Sequence, residues 1–227
     1  MPLRAAYVAI SVVAVSLVVE RVLLQIVSDR LPLVGLVAIS TIVGYGPMVG
    51  YVLWASRRWG TGRPVHDYGF SIRPVDAGWG PLVWLCGIFA EIVVGAIVVA
   101  TKIPLKSNTT GLSKLKGQHD VLLAVAISAV IAAPFVEELI FRGLIMRSFL
   151  SSMPAWLAIG LQGTLFGLAH VGPERGIGNI GLVIVLGTIG CVFGGAAYLL
   201  RRIGPTIIAH AMLNIFALIL SVWVVKS

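Results

Sequence analysis

The chain has 227 residues, of which 58% are hydrophobic and only 11% are charged, with a formal net charge of +8 at pH 7. A water-soluble domain carries about twice that charged fraction, so the composition excludes an ordinary soluble protein. The basic residues are scattered over short segments between apolar blocks, where they usually serve membrane orientation and contact with lipid headgroups. We therefore expect a lipid bilayer, and no nucleic acid, as the partner of this charge.

Seven apolar blocks follow one another along the chain, as expected of membrane spans. They cover about residues 5–27, 33–55, 79–100, 121–141, 155–171, 180–200 and 205–225. Continuous apolar runs, without alternation of polar and apolar residues, predict helices and not a transmembrane barrel. The predicted fold is all-α, a polytopic membrane helix bundle with about seven transmembrane helices that forms one integral membrane domain over residues 1–227.

The first block has a charge, Arg4, before a long apolar run, which is a feature of both signal peptides and membrane spans. The run is long, has no clear cleavage site and is followed by further apolar blocks, so we predict a membrane span. A multi-pass protein of the cell membrane is the expected result.

The densest group of polar residues interrupts the fourth block, in the sequence APFVEELIFRGLI. Glu138 and Arg142 are four residues apart, so they share a helix face and can form an ion pair. Glu137 points about 100° away from Glu138 around the helix and is not committed to Arg142. Pro134, just before them, is expected to loosen the helix and to free nearby carbonyl groups.

Two later blocks also contain polar residues that are costly at membrane depth. The fifth block ends in His170, and the seventh contains His210 and Asn214, which share a helix face. A buried Glu–Arg pair, or a lone His or Asn in a span, is often only a contact between helices. Five such groups in three neighbouring blocks favour a functional site. Glu91 is a lone acid in the third block, where we expect structural pairing or a place in a cavity wall.

These residue types suit the hydrolysis of an amide. A glutamate beside a histidine can activate a water molecule, and a second histidine with an asparagine can donate hydrogen bonds to an oxyanion. Alternatively, Glu137, His170 and His210 could bind a metal such as zinc with one coordination position left open. The sequence has no HExxH motif, no Gly-Asp pair and no GxSG serine in a span, which leaves other protease mechanisms without residues.

Three motifs in this order resemble those of the CPBP intramembrane proteases, also called the Abi or type II CAAX prenyl endopeptidase family. They read EELIFR (Glu137 to Arg142), FGLAH (Phe166 to His170) and HAMLN (His210 to Asn214). The resemblance covers about residues 120–220, which would form the catalytic core.

The resemblance implies a role for each polar residue of the motifs. Glu137 would activate water with the help of His170, whereas His210 and Asn214 would polarise the scissile carbonyl and stabilise the oxyanion. The family is commonly described as metalloproteases, so zinc stays open as a cofactor.

The resemblance further implies that Glu138 and Arg142 brace the site. Members of the family remove the last three residues after a prenylated cysteine, and many bacterial members are linked to bacteriocin processing or self-immunity. Because the site residues lie within spans, we expect the substrate to be a membrane-embedded or lipidated protein or peptide that enters from the lipid.

Two other functions are compatible with parts of the sequence. One is a catalytically idle membrane scaffold or immunity protein of the same fold, against which the complete set of motifs argues. The other is a small transporter with a buried proton relay, which requires a continuous polar path across the membrane. For such a path the first two blocks offer only Glu20 and Arg21.

The depths of the two histidines conflict if all blocks are straight spans. His210 lies about 8 Å into the seventh block, whereas His170 ends the fifth block on the opposite side of the membrane. We therefore predict that residues 171–179 are non-helical and recessed into the membrane, which brings His170 towards His210. Glu174 and Arg175 would then line the wet side of the cavity.

Overall fold

The structure, a computed structural model, describes residues 1–224, which form helices and loops and contain no strand. Six helices are long and apolar enough to cross a membrane, and a seventh is shorter. In chain order they are α1 (Leu3–Val27), α2 (Leu33–Trp59), α3 (Asp76–Ala100), α4 (His119–Leu150), α5 (Ala155–Ala169), α6 (Asn179–Leu200) and α7 (Gly204–Val224). The predicted all-α, polytopic membrane bundle is confirmed, and the chain is an integral membrane protein.

Helix α4 departs from α-helical geometry just before the two glutamates. Over Ile127–Ala132 it is a π-helix, in which the N–H of Ala133 bonds to the carbonyl of Ser128, five residues back. The residue five positions after Ala129 is Pro134, which has no N–H to donate. The carbonyl of Ala129 therefore has no partner in this π-helical pattern and can accept a hydrogen bond from a side chain.

Helices α5 and α6 pack with their backbones in direct contact, because glycines face each other. A Cβ atom on Gly163 would lie 2.8 Å from the carbonyl oxygen of Gly187, and one on Gly190 would lie 2.8 Å from Cα of Gly163. On Gly167 it would lie 2.6 Å from the carbonyl oxygen of Val183. Such small residues at four-residue spacing let membrane helices approach closely. The end of α5, where His170 lies, is thus fixed against α6.

Helix α5 is too short to cross a bilayer. Its 15 residues span about 22 Å, compared with a hydrocarbon core of about 30 Å. The next segment is only partly as predicted, because Pro173–Gly178 forms a 3-10 helix with a kink at Gly176, and Asn179 already begins α6. The prediction that residues 171–179 are non-helical is therefore wrong, although no α-helix forms before Asn179.

Polar side chains bond to backbone groups of this irregular segment. The Asn179 carboxamide accepts a hydrogen bond from the N–H of Gly172 at 3.0 Å and donates to the carbonyls of Gly172 and Gly176 at 2.8 and 2.9 Å. The guanidinium of Arg21, on α1, donates to the carbonyl of Val171. The chain after His170 is thus held from both α1 and α6.

The loop between α2 and α3 fixes α4 at the level of the site. Tyr68 in this loop is fully buried, and its hydroxyl donates to the carbonyl of Val52 at 2.7 Å. Burial raises the pKa of Tyr68 well above its usual value. A Cβ atom on Gly143 would lie 2.9 Å from Cβ of Tyr68, so α4 approaches this ring through a glycine.

Candidate active site

The carboxylate of Glu137, on α4, is contacted from α2, from the end of α5 and from α7. Its Oε1 accepts a hydrogen bond from the hydroxyl of Tyr45 at 2.8 Å. Its Oε2 is buried, has no hydrogen-bond partner among the described residues, and lies 3.9 Å from Nε2 of His170 and 3.8 Å from Nε2 of His210. The structure thus brings together the glutamate and both histidines that the sequence placed in separate blocks.

The backbone defines which nitrogen of His170 carries the proton. Its Nδ1 lies 2.8 Å from the carbonyl oxygen of Phe166, one helical turn back. A carbonyl oxygen only accepts hydrogen bonds, so this geometry assigns the proton to Nδ1. In the neutral ring, Nε2 then has a free lone pair, which points towards Glu137.

His210 is oriented by the second glutamate. Its Nδ1 lies 3.0 Å from Oε1 of Glu138, so Nδ1 is the donor in this contact, and Nε2 is directed at Glu137. A neutral His210 therefore has no hydrogen on Nε2. Donation of a hydrogen bond from Nε2 while Nδ1 donates to Glu138 requires a hydrogen on both ring nitrogens.

The Glu138–Arg142 pair is fully buried beneath His210. Nη1 of Arg142 lies 3.0 Å from Oε1 of Glu138, in an ion pair whose geometry is not that of a hydrogen bond. Nη2 of Arg142 donates to the carbonyl of Gly190 at 3.4 Å, and the guanidinium lies 4.4 Å from the ring centre of Phe166 and 5.6 Å from that of Phe193. The two residues pair as their spacing predicts, and aromatic faces add cation–π stabilisation.

Asn214 joins α7 to the π-helical part of α4. Its amide nitrogen donates to the carbonyl of Ala129 at 2.6 Å, the same carbonyl that Pro134 leaves without a π-helical donor. A carboxamide has two N–H groups, so the second one remains for another acceptor.

A cavity of about 930 Å³ contains these groups. Its walls come from α2, α3, α4, α6 and α7, and from residues 107–113 of the loop between α3 and α4. Glu137, His170, His210 and Asn214 all line it, together with Tyr45. The four side chains therefore share one space that is large enough for a segment of a peptide.

The prediction that Glu174 and Arg175 line the wet side of the cavity is wrong, because neither residue lines it. The two side chains form an ion pair with each other, and Arg175 also donates to the carbonyls of His170 and Ser107 at 3.4 and 3.5 Å. Arg175 thus fixes backbone segments at the rim of the cavity and does not face its interior.

The predicted zinc ligands converge, with Oε2 of Glu137 lying 3.9 and 3.8 Å from the Nε2 atoms of His170 and His210. These separations are slightly longer than the about 3.4 Å expected between donors that bind one zinc ion at about 2.1 Å in a tetrahedral arrangement. Within residues 1–224, no group of three or more His, Cys, Asp or Glu residues is arranged to hold a metal ion.

Tyr45 is the contact of Glu137 that sequence reasoning missed. It lies in the second apolar block, where an aromatic ring is counted as apolar and its hydroxyl is overlooked. A signal was present, because this polar group lies in mid-span between Gly44 and Gly46 and is followed by Pro47.

Tyr45→Phe is expected to lower kcat about tenfold while leaving KM nearly unchanged. The hydroxyl holds Oε1 of Glu137 and so fixes where Oε2 points, and a misplaced base loses rate. Steady-state kinetics on a cleaved peptide measures both constants. An equal rate for Tyr45→Phe and wild type would show that the hydroxyl does not position the carboxylate.

The cavity between the spans contains a buried carboxylate with a free oxygen, two imidazoles and a carboxamide. This arrangement places the protein in the class of membrane proteins with an embedded polar site. Residues 119–216, from the start of α4 into α7, match the family model described as type II CAAX prenyl endopeptidase Rce1-like. The match covers less than half of the chain and confirms the resemblance to the CAAX-type intramembrane proteases that the three motifs indicate. No curated protein and no solved structure matches the chain.

Proposed function

We propose that the chain hydrolyses a peptide bond inside the membrane, with water activated by Glu137 and His170 and the oxyanion stabilised by His210 and Asn214. The observation that carries the proposal is the buried, unpartnered Oε2 of Glu137, which faces Nε2 of both histidines. The catalytic core would comprise about residues 120–220 of a single membrane domain formed by residues 1–227.

The first step needs a water molecule between Glu137 and His170. Their separation of 3.9 Å is too long for a direct hydrogen bond and short enough for one water to contact both atoms. As the water oxygen bonds to the carbonyl carbon, one water proton passes to Oε2 of Glu137. When the C–N bond breaks, that proton passes to the leaving amine.

The second pair of residues acts on the carbonyl oxygen. His210 donates from Nε2 while its Nδ1 contacts the carboxylate of Glu138, and Asn214 donates with the N–H that Ala129 leaves free. Each such donor typically contributes about 10²–10³-fold to the rate. Glu138 and Arg142 act only by holding the ring of His210.

The substrate proposed is a membrane-embedded or lipidated protein or peptide, with processing of the CAAX type or of a bacteriocin-like peptide. Its support is the place of the site, since the lining residues come from membrane spans and one short loop. The cell membrane is the proposed location.

In proteoliposomes, a peptide carrying a lipid or membrane anchor should be cleaved with at least about tenfold higher kcat/KM than the same peptide without it. The anchor confines the peptide to the bilayer, which raises its local concentration at a site between spans. Mass spectrometry of the products gives both the rates and the cut site.

Vesicles that contain the Glu137→Gln variant, purified in the same way, are the control for the proposed site, and vesicles without protein are the control for cleavage by the assay mixture. Equal cleavage of the soluble peptide would contradict entry from the lipid, whereas cleavage that persists in the variant would contradict the proposed chemistry itself.

A further inference from the structure

Helix α3 contains a single acidic or basic residue between Ala77 and Ala100, and this residue is Glu91. A charge within a span is costly, and when it occurs it usually faces a cavity with a functional role. Glu91 is half-buried and lines the same cavity as Glu137, beside Ile88 and Ile92. Glu91 has no role in the steps proposed for hydrolysis.

The charges that line the cavity have the opposite sign to those of the whole protein. The chain has 17 basic and 9 acidic residues, yet the described lining includes two acids, Glu91 and Glu137, and no Lys or Arg. Glu137 is surrounded by two imidazoles and a phenol, whereas no ion pair or hydrogen bond joins Glu91 to another described residue. In a low-dielectric wall such a carboxylate attracts cations strongly.

The part of the loop that lines the cavity carries no positive charge. Its lining residues 107–113 read SNTTGLS and offer only hydroxyl, amide and apolar groups. The ammonium of the neighbouring Lys106 is held at the rim, where it donates to the carbonyl of Glu174 at 2.9 Å. No ion pair joins Glu91 to a described residue, so a basic group of the molecule that occupies the cavity can pair with it.

We infer that Glu91 is a specificity residue that pairs with a basic side chain of the substrate, so that the preferred substrates carry Lys or Arg close to the scissile bond. The inference rests on the proposed function, because it assigns Glu91 to the peptide that this site would cut. Both acids line one cavity of about 930 Å³, which is large enough for a short peptide segment.

The test uses anchored peptides that are identical except for one position, which is Lys, Gln or Glu, with the position moved along the peptide on both sides of the cut. Wild type is expected to prefer Lys over Gln at one position by at least about tenfold in kcat/KM, the scale of a desolvated charge pair. Glu91→Gln should lose this preference, and Glu91→Lys should instead prefer the Glu peptide.

The matched control is Glu20→Gln, which removes an acid from α1 that bonds to Ser40 and does not line the cavity. It should retain the wild-type preference for Lys. A Glu91→Gln variant that slows all three peptides equally and keeps the preference would overturn the inference, since Glu91 would then act through stability or proton transfer.

A binding measurement separates this inference from the proposed function. In the Glu137→Gln background, photo-crosslinking of the Lys peptide should be stronger than that of the Gln peptide and should fall when Glu91→Gln is added. If wild type cleaves no peptide but this binding difference is found, the proposed hydrolysis fails and the pairing with Glu91 stands. Equal crosslinking of both peptides, with or without Glu91, would overturn the pairing.

Discussion

Glu137→Gln is expected to lower kcat/KM for an anchored peptide by about 10²–10⁴-fold, the contribution of a general base. The carboxamide has nearly the shape of the carboxylate and can still accept the hydrogen bond from Tyr45, but it cannot take a proton from water. Because Oε2 has no hydrogen-bond partner among residues 1–224, its replacement should shift the thermal unfolding midpoint very little. Cleavage assays and unfolding in the same detergent measure both effects.

Glu138→Gln is the matched control, because it makes the same change one residue along the helix. It removes the partner of a buried arginine and should lower the stability far more than Glu137→Gln. The reverse order of unfolding midpoints would exchange the roles of the two glutamates. Elemental analysis of both proteins also distinguishes a mechanism with zinc from one without it. Stoichiometric zinc that is present in wild type and lost in Glu137→Gln would identify the carboxylate as a zinc ligand.

Contacts within one helix could be read from the sequence, because helical geometry fixes which residues share a face. The four-residue spacings placed Glu138 beside Arg142 and His210 on the face of Asn214, and the structure has both arrangements. Pro134 also indicated a freed carbonyl, although not which one. The identity of Ala129 depends on the π-helix before it, and no pattern in this apolar run predicts a π-helix.

Contacts between distant segments of the chain were less predictable, because they depend on how helices and loops pack. The hydroxyl of Tyr45 and the place of Arg175 are of this kind, since each side chain reaches a different segment of the chain. The proline and glycines after His170 indicated an irregular segment at membrane depth. Whether its two charges would face the cavity or the backbone was decided by the carbonyls that lie within reach of Arg175.

Arg142→Met is expected to lower the free energy of unfolding by about 3–5 kcal/mol, because it leaves the carboxylate of Glu138 buried without its counter-charge. Unfolding titrations in mixed micelles give this value. The double variant Glu138→Leu/Arg142→Met has neither charge of the pair. Replacement of a buried ion pair by apolar side chains is often neutral for stability. The double variant should therefore regain most of the stability that the single variant loses.

Activity is expected to behave differently in the double variant, and this difference tests how the pair serves the site. Without Glu138, Nδ1 of His210 has lost its acceptor, and nothing fixes the direction of Nε2. A stable but inactive double variant would thus assign the pair to positioning His210. Full activity in that variant would contradict this role, and stability no better than that of Arg142→Met would mean that Arg142 acts mainly through Phe166, Phe193 and the carbonyl of Gly190.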